Sequence, residues 1–167
     1  MSGEKMSDLK YVLEESEMEN TQENMYLSFS LSKEEYGIDI RHVNEVVGLQ
    51  KITRVPDMPD FVRGVINLRG QLIPVIDVRL RFKLDSKDYN DRTCIVVVDI
   101  DQRPIGLIVD QVRDVLQIPK DQVDPPPILQ KEYSGQFISG IGKVKDSVKI
   151  LLDTRHLLSD KDLEQVM

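Results

Sequence analysis

The chain has 167 residues, a formal net charge of −7 at pH 7, one cysteine, no tryptophan and 5% aromatic residues. That length fits one domain, or two very small ones sharing a core, without metal or disulfide staples, and a lone cysteine excludes an internal disulfide framework. Apolar runs stop at about six residues where a membrane span needs about 20, the N-terminus lacks a basic start followed by an apolar stretch, and no basic stripe is present to neutralise a phosphate backbone; a soluble, cytoplasmic protein that neither inserts in membranes nor binds nucleic acid is expected.

In chain order, residues 1 to 24 carry −5 of the charge and leave −2 for the remainder, so they read as an acidic, disordered tail with at most a short amphipathic helix over 6 to 18. From Met25 the period changes. Leu27, Phe29 and Leu31 alternate with Ser28, Ser30 and Ser32, the period of a strand buried on one face, and Ile38 and Ile40 continue it after a turn at Glu34 and Glu35. Val43, Val46 and Val47 fall at helical spacing and predict a brief helical turn. Pro56 and Pro59 mark a loop, after which Phe61 to Leu68 and Gln71 to Leu80 read as two strands joined through Arg69 and Gly70. Pro74 has no N–H for a sheet ladder, which predicts an edge strand or a bulge there. Cys94 to Ile100 and Pro104 to Val109 form a second hairpin around Asp101, Gln102 and Arg103. Pro125, Pro126 and Pro127 are a stiff extended connector. Phe137 to Val144 and Val148 to Asp153 supply the last strands, and Ser159 with Asp162 resembles a capping box ahead of a short C-terminal helix.

The second half of the chain echoes the first. Tyr36, Gly37, Ile38, Asp39 and Ile40, then Val43 and Val46, return 69 residues later as Ile105, Gly106, Leu107, Ile108 and Val109, then Val112 and Val115. Gly64 and Asp77 are matched by Gly140 and Asp153, and each aspartate is followed two places on by arginine, Arg79 and Arg155. A repeat of this kind usually marks one structural unit per copy. With about ten short strands it points to an all-β fold, most simply two five-stranded barrels packed side by side, the first over about 25–85 and the second over about 92–158, with strands exchanged between them as an open alternative.

Reactive groups are sparse. His42 and His156 have no cysteine or histidine neighbours at ligand spacing, so no metal site is expected. Cys94 sits in an apolar run that suppresses thiolate formation. Asp99 and Asp101 lie on one side of a strand and form a candidate acid and base pair, the minority enzyme reading; aspartate is also favoured where a hairpin turn begins, and the turn reading is preferred. No phosphate-binding or nucleophile-elbow motif is present, and no cofactor is expected. Branched aliphatics outnumber aromatics, which suits a dry groove for the apolar face of a helix better than a base-stacking platform.

The segment from Val55 to Arg79, V-P-D-M-P-D-F-V-R-G-V-I-N-L-R-G-Q-L-I-P-V-I-D-V-R, resembles the signature of the CheW family of bacterial chemotaxis coupling proteins, and Tyr36 to Ile40 and Ile105 to Asp110 resemble its other blocks in order. The resemblance covers residues 25 to 158. It implies two SH3-like barrels and no enzymatic activity. It also implies an adaptor between the cytoplasmic tip of methyl-accepting chemotaxis receptors and the regulatory domain of the histidine kinase CheA; a scaffold of another chemosensory pathway, controlling pili or gene expression, is the alternative. By motif position the receptor would contact Leu27, Ile40, Val43, Glu45, Val46 and Arg69, with barrel core as the competing role for Ile40, Val43 and Val46. The kinase would contact Ile52, Val55 and Leu129. Gly64 and Gly70 are expected to serve turns or close packing.

Overall fold

The structure is a computed structural model, and it describes residues 22–126 and 137–158. Residues 1–21 of the predicted tail, Leu129 and the predicted C-terminal helix lie outside the described residues. Among the described residues the fold is all-β, with eleven strands. The first five are β1 (Met25–Leu31), β2 (Glu34–Asp39), β3 (Val43–Gly48), β4 (Val62–Leu68) and β5 (Gln71–Asp77). The next three are β6 (Cys94–Ile100), β7 (Arg103–Val109) and β8 (Gln111–Gln117), and the last are β9 (Val123–Asp124), β10 (Ile138–Val144) and β11 (Ser147–Leu152). A one-turn helix, Val78–Arg81, follows β5. No helix among the described residues is long and apolar enough to cross a membrane.

The strands form two sheets, in the orders β8-β1-β2-β11-β10-β9 and β3-β6-β7-β5-β4. These are one order used twice. β8, β1, β2, β11 and β10 stand where β3, β6, β7, β5 and β4 stand, and each sheet has one parallel pair, β2 with β11 and β7 with β5. The echo therefore extends to topology, but the sheets do not divide the chain at residues 85 to 92. Each hairpin, β1–β2 and β6–β7, sends its following strand to the other sheet: β3 pairs with β6, and β8 pairs with β1. At the first crossing Asp39 turns the chain, its carboxylate accepting the Arg41 N–H at 2.9 Å.

Four local expectations need correction. Val43 to Gly48 is strand, not helix; a bulge between Val43 and Glu45 sets three residues of β3 against two of β6, so Val43 and Val46 face the same core at a spacing that imitates a helix. The first hairpin turns at Ser32 and Lys33, and Glu34 and Glu35 already belong to β2. The strand after Gly70 ends at Asp77, whose carboxylate accepts the Arg79 N–H and starts the helical turn. β5 is internal rather than an edge strand; the bulge alternative fits better, since the β4–β5 ladder shifts register between Val62 and Gly64, opposite Ile76 and Val75 next to Pro74, and pairing with β7 begins only at Val75.

Gly64 shows why a glycine is repeated. Its φ is +140°, and a Cβ there would fall on the Thr53 carbonyl, where a bridge between Thr53 and Val65 closes the sheet. Its counterpart Gly140 would place a Cβ 2.8 Å from Val123 Cγ1 and 3.0 Å from the Asp124 carbonyl, at the matching closure by β9.

The main core lies between the sheets and holds Leu27, Phe29, Ile38, Val96, Val98 and Leu107. A second cluster, Ile66, Ile73, Val75, Ile95, Val97 and Ile108, fills the inside of the sheet built from β3 to β7. The other sheet is more polar at matching positions. Lys149 replaces Ile73 and is buried in an ion pair with Glu35, and Ser28 replaces Val97 with its hydroxyl buried and unpartnered.

Two polar contacts tie the sheets together. Arg81 lies with its guanidinium 4.9 Å from the Phe61 ring centre and 4.3 Å from that of Phe137, and its Nε donates to the Leu157 carbonyl at 2.5 Å. Arg79 donates from Nε and Nη2 to the two oxygens of Asp110, both at 2.7 Å, while Asp110 also accepts the Ser32 N–H of the β1–β2 turn at 2.9 Å. Burial raises the Asp110 pKa, but the Arg79 guanidinium and the Ser32 amide outweigh it and hold the carboxyl below its ordinary value.

Replacing Arg81 by Ala should lower stability by about 2–4 kcal/mol, from two cation–ring contacts and a charged hydrogen bond; Arg81→Lys should recover only part, since an ammonium lacks the planar face. Denaturant unfolding measures both. Asp110 has its folded pKa depressed, so its contribution is fully present above the unfolded value of about 3.9 and is lost as pH falls through the folded value. Asp110→Asn should therefore melt well below the parent at pH 7, with the gap narrowing as both are acidified below about pH 4. A gap constant with pH would show that the charge contributes nothing.

Candidate partner-binding surfaces

β3 carries the first candidate surface. Val43 and Val46 are half-buried against the inter-sheet core, so each offers part of a side chain outward. Glu45, at the bulge between them, makes an ion pair with Arg69 of the β4–β5 turn. Arg69 and Gly70 form that turn with φ of 53° and 86°, and the Asn67 carboxamide oxygen accepts the Gly70 N–H at 2.8 Å. Arg69 is 69% exposed, so its pair with Glu45 shapes the surface more than it holds the fold.

Leu27 and Ile40 do not belong to this surface. They are 0% and 2% exposed inside the main core, with Leu27 opposite both Ile38 and Val115, and so have no area to offer a partner. Of the six residues expected at the receptor contact, Val43, Glu45 and Val46 share β3 and Glu45 reaches Arg69, whereas Leu27 and Ile40 are enclosed in the core.

Among the residues expected at the kinase contact, Ile52 is half-buried against the second core cluster. Val55 lines an open basin of about 190 Å³, with Arg54 and Met58 of the loop between β3 and β4 and Arg63 at the start of β4. Leu129 lies outside the described residues.

Sequence reasoning missed Leu72 and Val148, which are 66% and 52% exposed. Each sits near a hairpin turn, paired with Asn67 and Lys143 respectively. In the run Leu72-Ile73-Pro74-Val75-Ile76 every residue is apolar, so no alternation distinguishes outward from inward. The echo was the available signal, because Leu72 and Val148 are separated as Gly64 and Gly140 are.

The carboxylates beside the one-turn helix are engaged by neighbouring donors. Asp77 accepts from the Arg79 N–H through one oxygen and from the Tyr89 hydroxyl, at 2.9 Å, through the other. Burial and then that hydrogen bond push Tyr89 up to about 12. Both oxygens of Asp110 are taken by Arg79. Such a cluster fastens the segment after the helical turn, each oxygen of the two carboxylates accepting from at least one donor. Asp99 and Asp101 are exposed, and Asp101 has the left-handed φ of 50° of a turn residue. Cys94 is buried, its Sγ donating to the Arg92 carbonyl at 3.3 Å. His156 rests on Asp153 at 2.9 Å. No cluster of metal-ligating side chains occurs among the described residues.

Comparison with known proteins converges on one family. The family model for the CheW-like domain matches residues 25–162. The chain is 38% identical over 141 residues to the chemotaxis protein CheW of Klebsiella aerogenes, covering 84% of this chain and 85% of that one. It is 30% identical over 151 residues to the chemotaxis protein CheW of Treponema pallidum, covering 88% and 89%. Among solved structures, the scaffolding protein TtCheW from Thermoanaerobacter tengcongensis superposes with a TM-score of 0.77 at 37% identity, over 83% of this chain and 94% of that one. With the CheW-like domain matched over residues 25–162 and a relative 38% identical over 84% of its length, the chain belongs to the CheW family of chemotaxis scaffolding proteins.

Proposed function

We propose that this chain is a non-catalytic adaptor that couples the cytoplasmic tip of methyl-accepting chemotaxis receptors to the regulatory domain of the histidine kinase CheA, working in the cytoplasm at receptor arrays and setting kinase activity there. The observation that carries this reading is the β3 strip, in which Val43 and Val46 flank the Glu45–Arg69 pair on a chain of the CheW family. Aliphatic knobs of a receptor helix would fill the space beside the two valines, and the charged pair at the rim would fix the orientation of the helix more than it adds affinity. Ile52, Val55 and Leu129 are assigned to the kinase, on a separate face, so that both partners are held at once. Each contact alone need be only weak. Joint engagement in an array raises effective concentration and tightens assembly by about 10²-fold.

Reconstitution of receptor tip, kinase and this protein tests the adaptor role: receptor-dependent control of kinase autophosphorylation should require this chain, and equal autophosphorylation with and without it sinks the proposal. A finer test separates surface from core. Val43→Glu should weaken receptor binding at least fivefold, about 1 kcal/mol, while the melting temperature moves by only a few degrees. Leu27→Ala, at a filled core site, should instead cost about 2–5 kcal/mol of stability. Collapse of the Val43→Glu protein would place Val43 in the core.

A further inference from the structure

We propose that Tyr89 is a positioning residue for the basin of Val55: anchored on Asp77 through its hydroxyl, it keeps the Arg63 guanidinium turned to the basin, where Arg63 meets a carboxylate of the kinase. The proposal rests on the assignment of that basin to CheA and deepens it. Tyr89 lies in the connector between the one-turn helix and β6, which is fastened on both sides of it. The Arg79 carbonyl accepts the Leu84 N–H at 2.8 Å, Arg79 Nη1 donates to the Asp85 carbonyl at 2.9 Å, and the Thr93 hydroxyl accepts the Asn90 N–H at 2.9 Å. The Tyr89 ring packs, half-buried, on the second core cluster, as Ile52 does, and its hydroxyl donates to Asp77 Oδ2 at 2.9 Å.

β4 supplies the other partner. Its ladder with β5 pairs Val62 with Ile76 and Gly64 with Val75, so Arg63 is the extra residue of a bulge. That bulge lies one strand away from Asp77, whose N–H the Phe61 carbonyl accepts at 2.8 Å. Bulges re-aim side chains. Here the side chain reaches two places: it lines the basin with Arg54, Val55 and Met58, and it stands close enough to the Tyr89 hydroxyl to oppose the rise in that group's pKa caused by burial and Asp77. A phenol that donates to Asp77 still has lone pairs with which to accept from a guanidinium.

The repeat separates what the fold requires from what this face adds. The bulge recurs in β10, between Ile138 and Gly140, so it belongs to the fold. The residue it carries there is Ser139, whose hydroxyl donates to the Leu151 carbonyl of the same sheet at 3.4 Å. Asp153, the counterpart of Asp77, also stays local: its second oxygen meets His156, three residues on, at 2.9 Å, where that of Asp77 reaches Tyr89, twelve residues on. Among the described residues, only the first copy joins a bulge arginine to a tyrosine, and it does so beside Val55. Four charged residues line the basin, and Arg63 is the half-buried one, Arg54, Asp57 and Asp60 being exposed. The least hydrated charge that a partner meets on closing over Val55 and Met58 is therefore positive, and its complement is a carboxylate. A guanidinium already held by the Tyr89 hydroxyl loses less freedom when that carboxylate binds.

Calorimetric titration of the full chain with purified CheA tests this, with melting curves to show that each variant is folded at the titration temperature. Tyr89→Phe removes the hydroxyl and keeps the ring; it should weaken CheA binding about fivefold and leave binding of a receptor-tip fragment unchanged. Arg63→Met should weaken CheA binding at least as much, and adding Tyr89→Phe to it should cost nothing further, because the hydroxyl acts through the guanidinium. Raising the ionic strength should weaken CheA binding more steeply for the parent than for Arg63→Met, as a charge pair requires. Additive losses, an equal loss of receptor binding, or equal salt slopes would overturn the inference. If Tyr89→Phe binds CheA as the parent does while Val55→Glu does not, the inference falls and the kinase assignment of the basin stands. If Val55→Glu also binds as the parent does, both fall.

Discussion

The guanidinium of Arg81, held between the rings of Phe61 and Phe137, is the contact on which the arrangement of the two sheets depends. Those phenylalanines are counterparts in the repeat, so the arginine sits where the two halves of the chain meet on equal terms. The protein has four phenylalanines, and all are collected in the core between the sheets: Phe82 stacks on Phe137 at 5.6 Å, and Tyr36 bridges Phe82 to Phe29 at 5.7 Å on either side. A chain with so few aromatics has placed its largest apolar side chains where two sheets must be fixed relative to each other. Flat rings and a flat cation resist sliding in a way that interdigitated valines do not.

Strand exchange makes that fixation a requirement. Because β3 leaves the first hairpin for the other sheet and β8 makes the reverse crossing, neither sheet is complete without chain from both halves. Asp110 stands at the second crossing, where it receives Arg79 from beyond β5 and the backbone of the β1–β2 turn. The two junctions set the positions of the hairpin tips, and the candidate docking residues are carried on those tips and on the strands that cross. Rigidity between sheets is thus converted into a fixed spacing between surfaces, which is what an adaptor requires if its partners are to be held in register.

The interiors are not equivalent, although the topology is. The sheet of β3 to β7 encloses branched aliphatics, whereas the other buries Lys149 against Glu35 and leaves the Ser28 and Thr154 hydroxyls unpartnered. Buried ionic and unsatisfied polar groups add little net stability and often subtract from it. That interior gains less from apolar burial than the one lined by branched aliphatics.

Much of this was legible in the residues. Period-two alternation located β1 and β2, apolar runs on either side of Asp101, Gln102 and Arg103 located β6 and β7, glycine and aspartate spacing exposed the repeat, and the block from Val55 to Arg79 pointed to the family. What misled was local geometry that one strand's sequence cannot contain. The bulge in β3 gave Val43 and Val46 a helical spacing, and the continuous apolar run of β5 hid the outward direction of Leu72. Leu27 and Ile40 were assigned to a surface because a motif position says which residue is present and not which neighbours cover it. The sequence by itself determined the all-β class, the duplication and the family, because these follow from residue periods and a specific motif that survive without coordinates. Only the tertiary structure decided which half of the chain each sheet draws on and which aliphatic side chains reach the surface, because both depend on long-range pairing between strands far apart in sequence, where burial is set by what arrives from the other sheet.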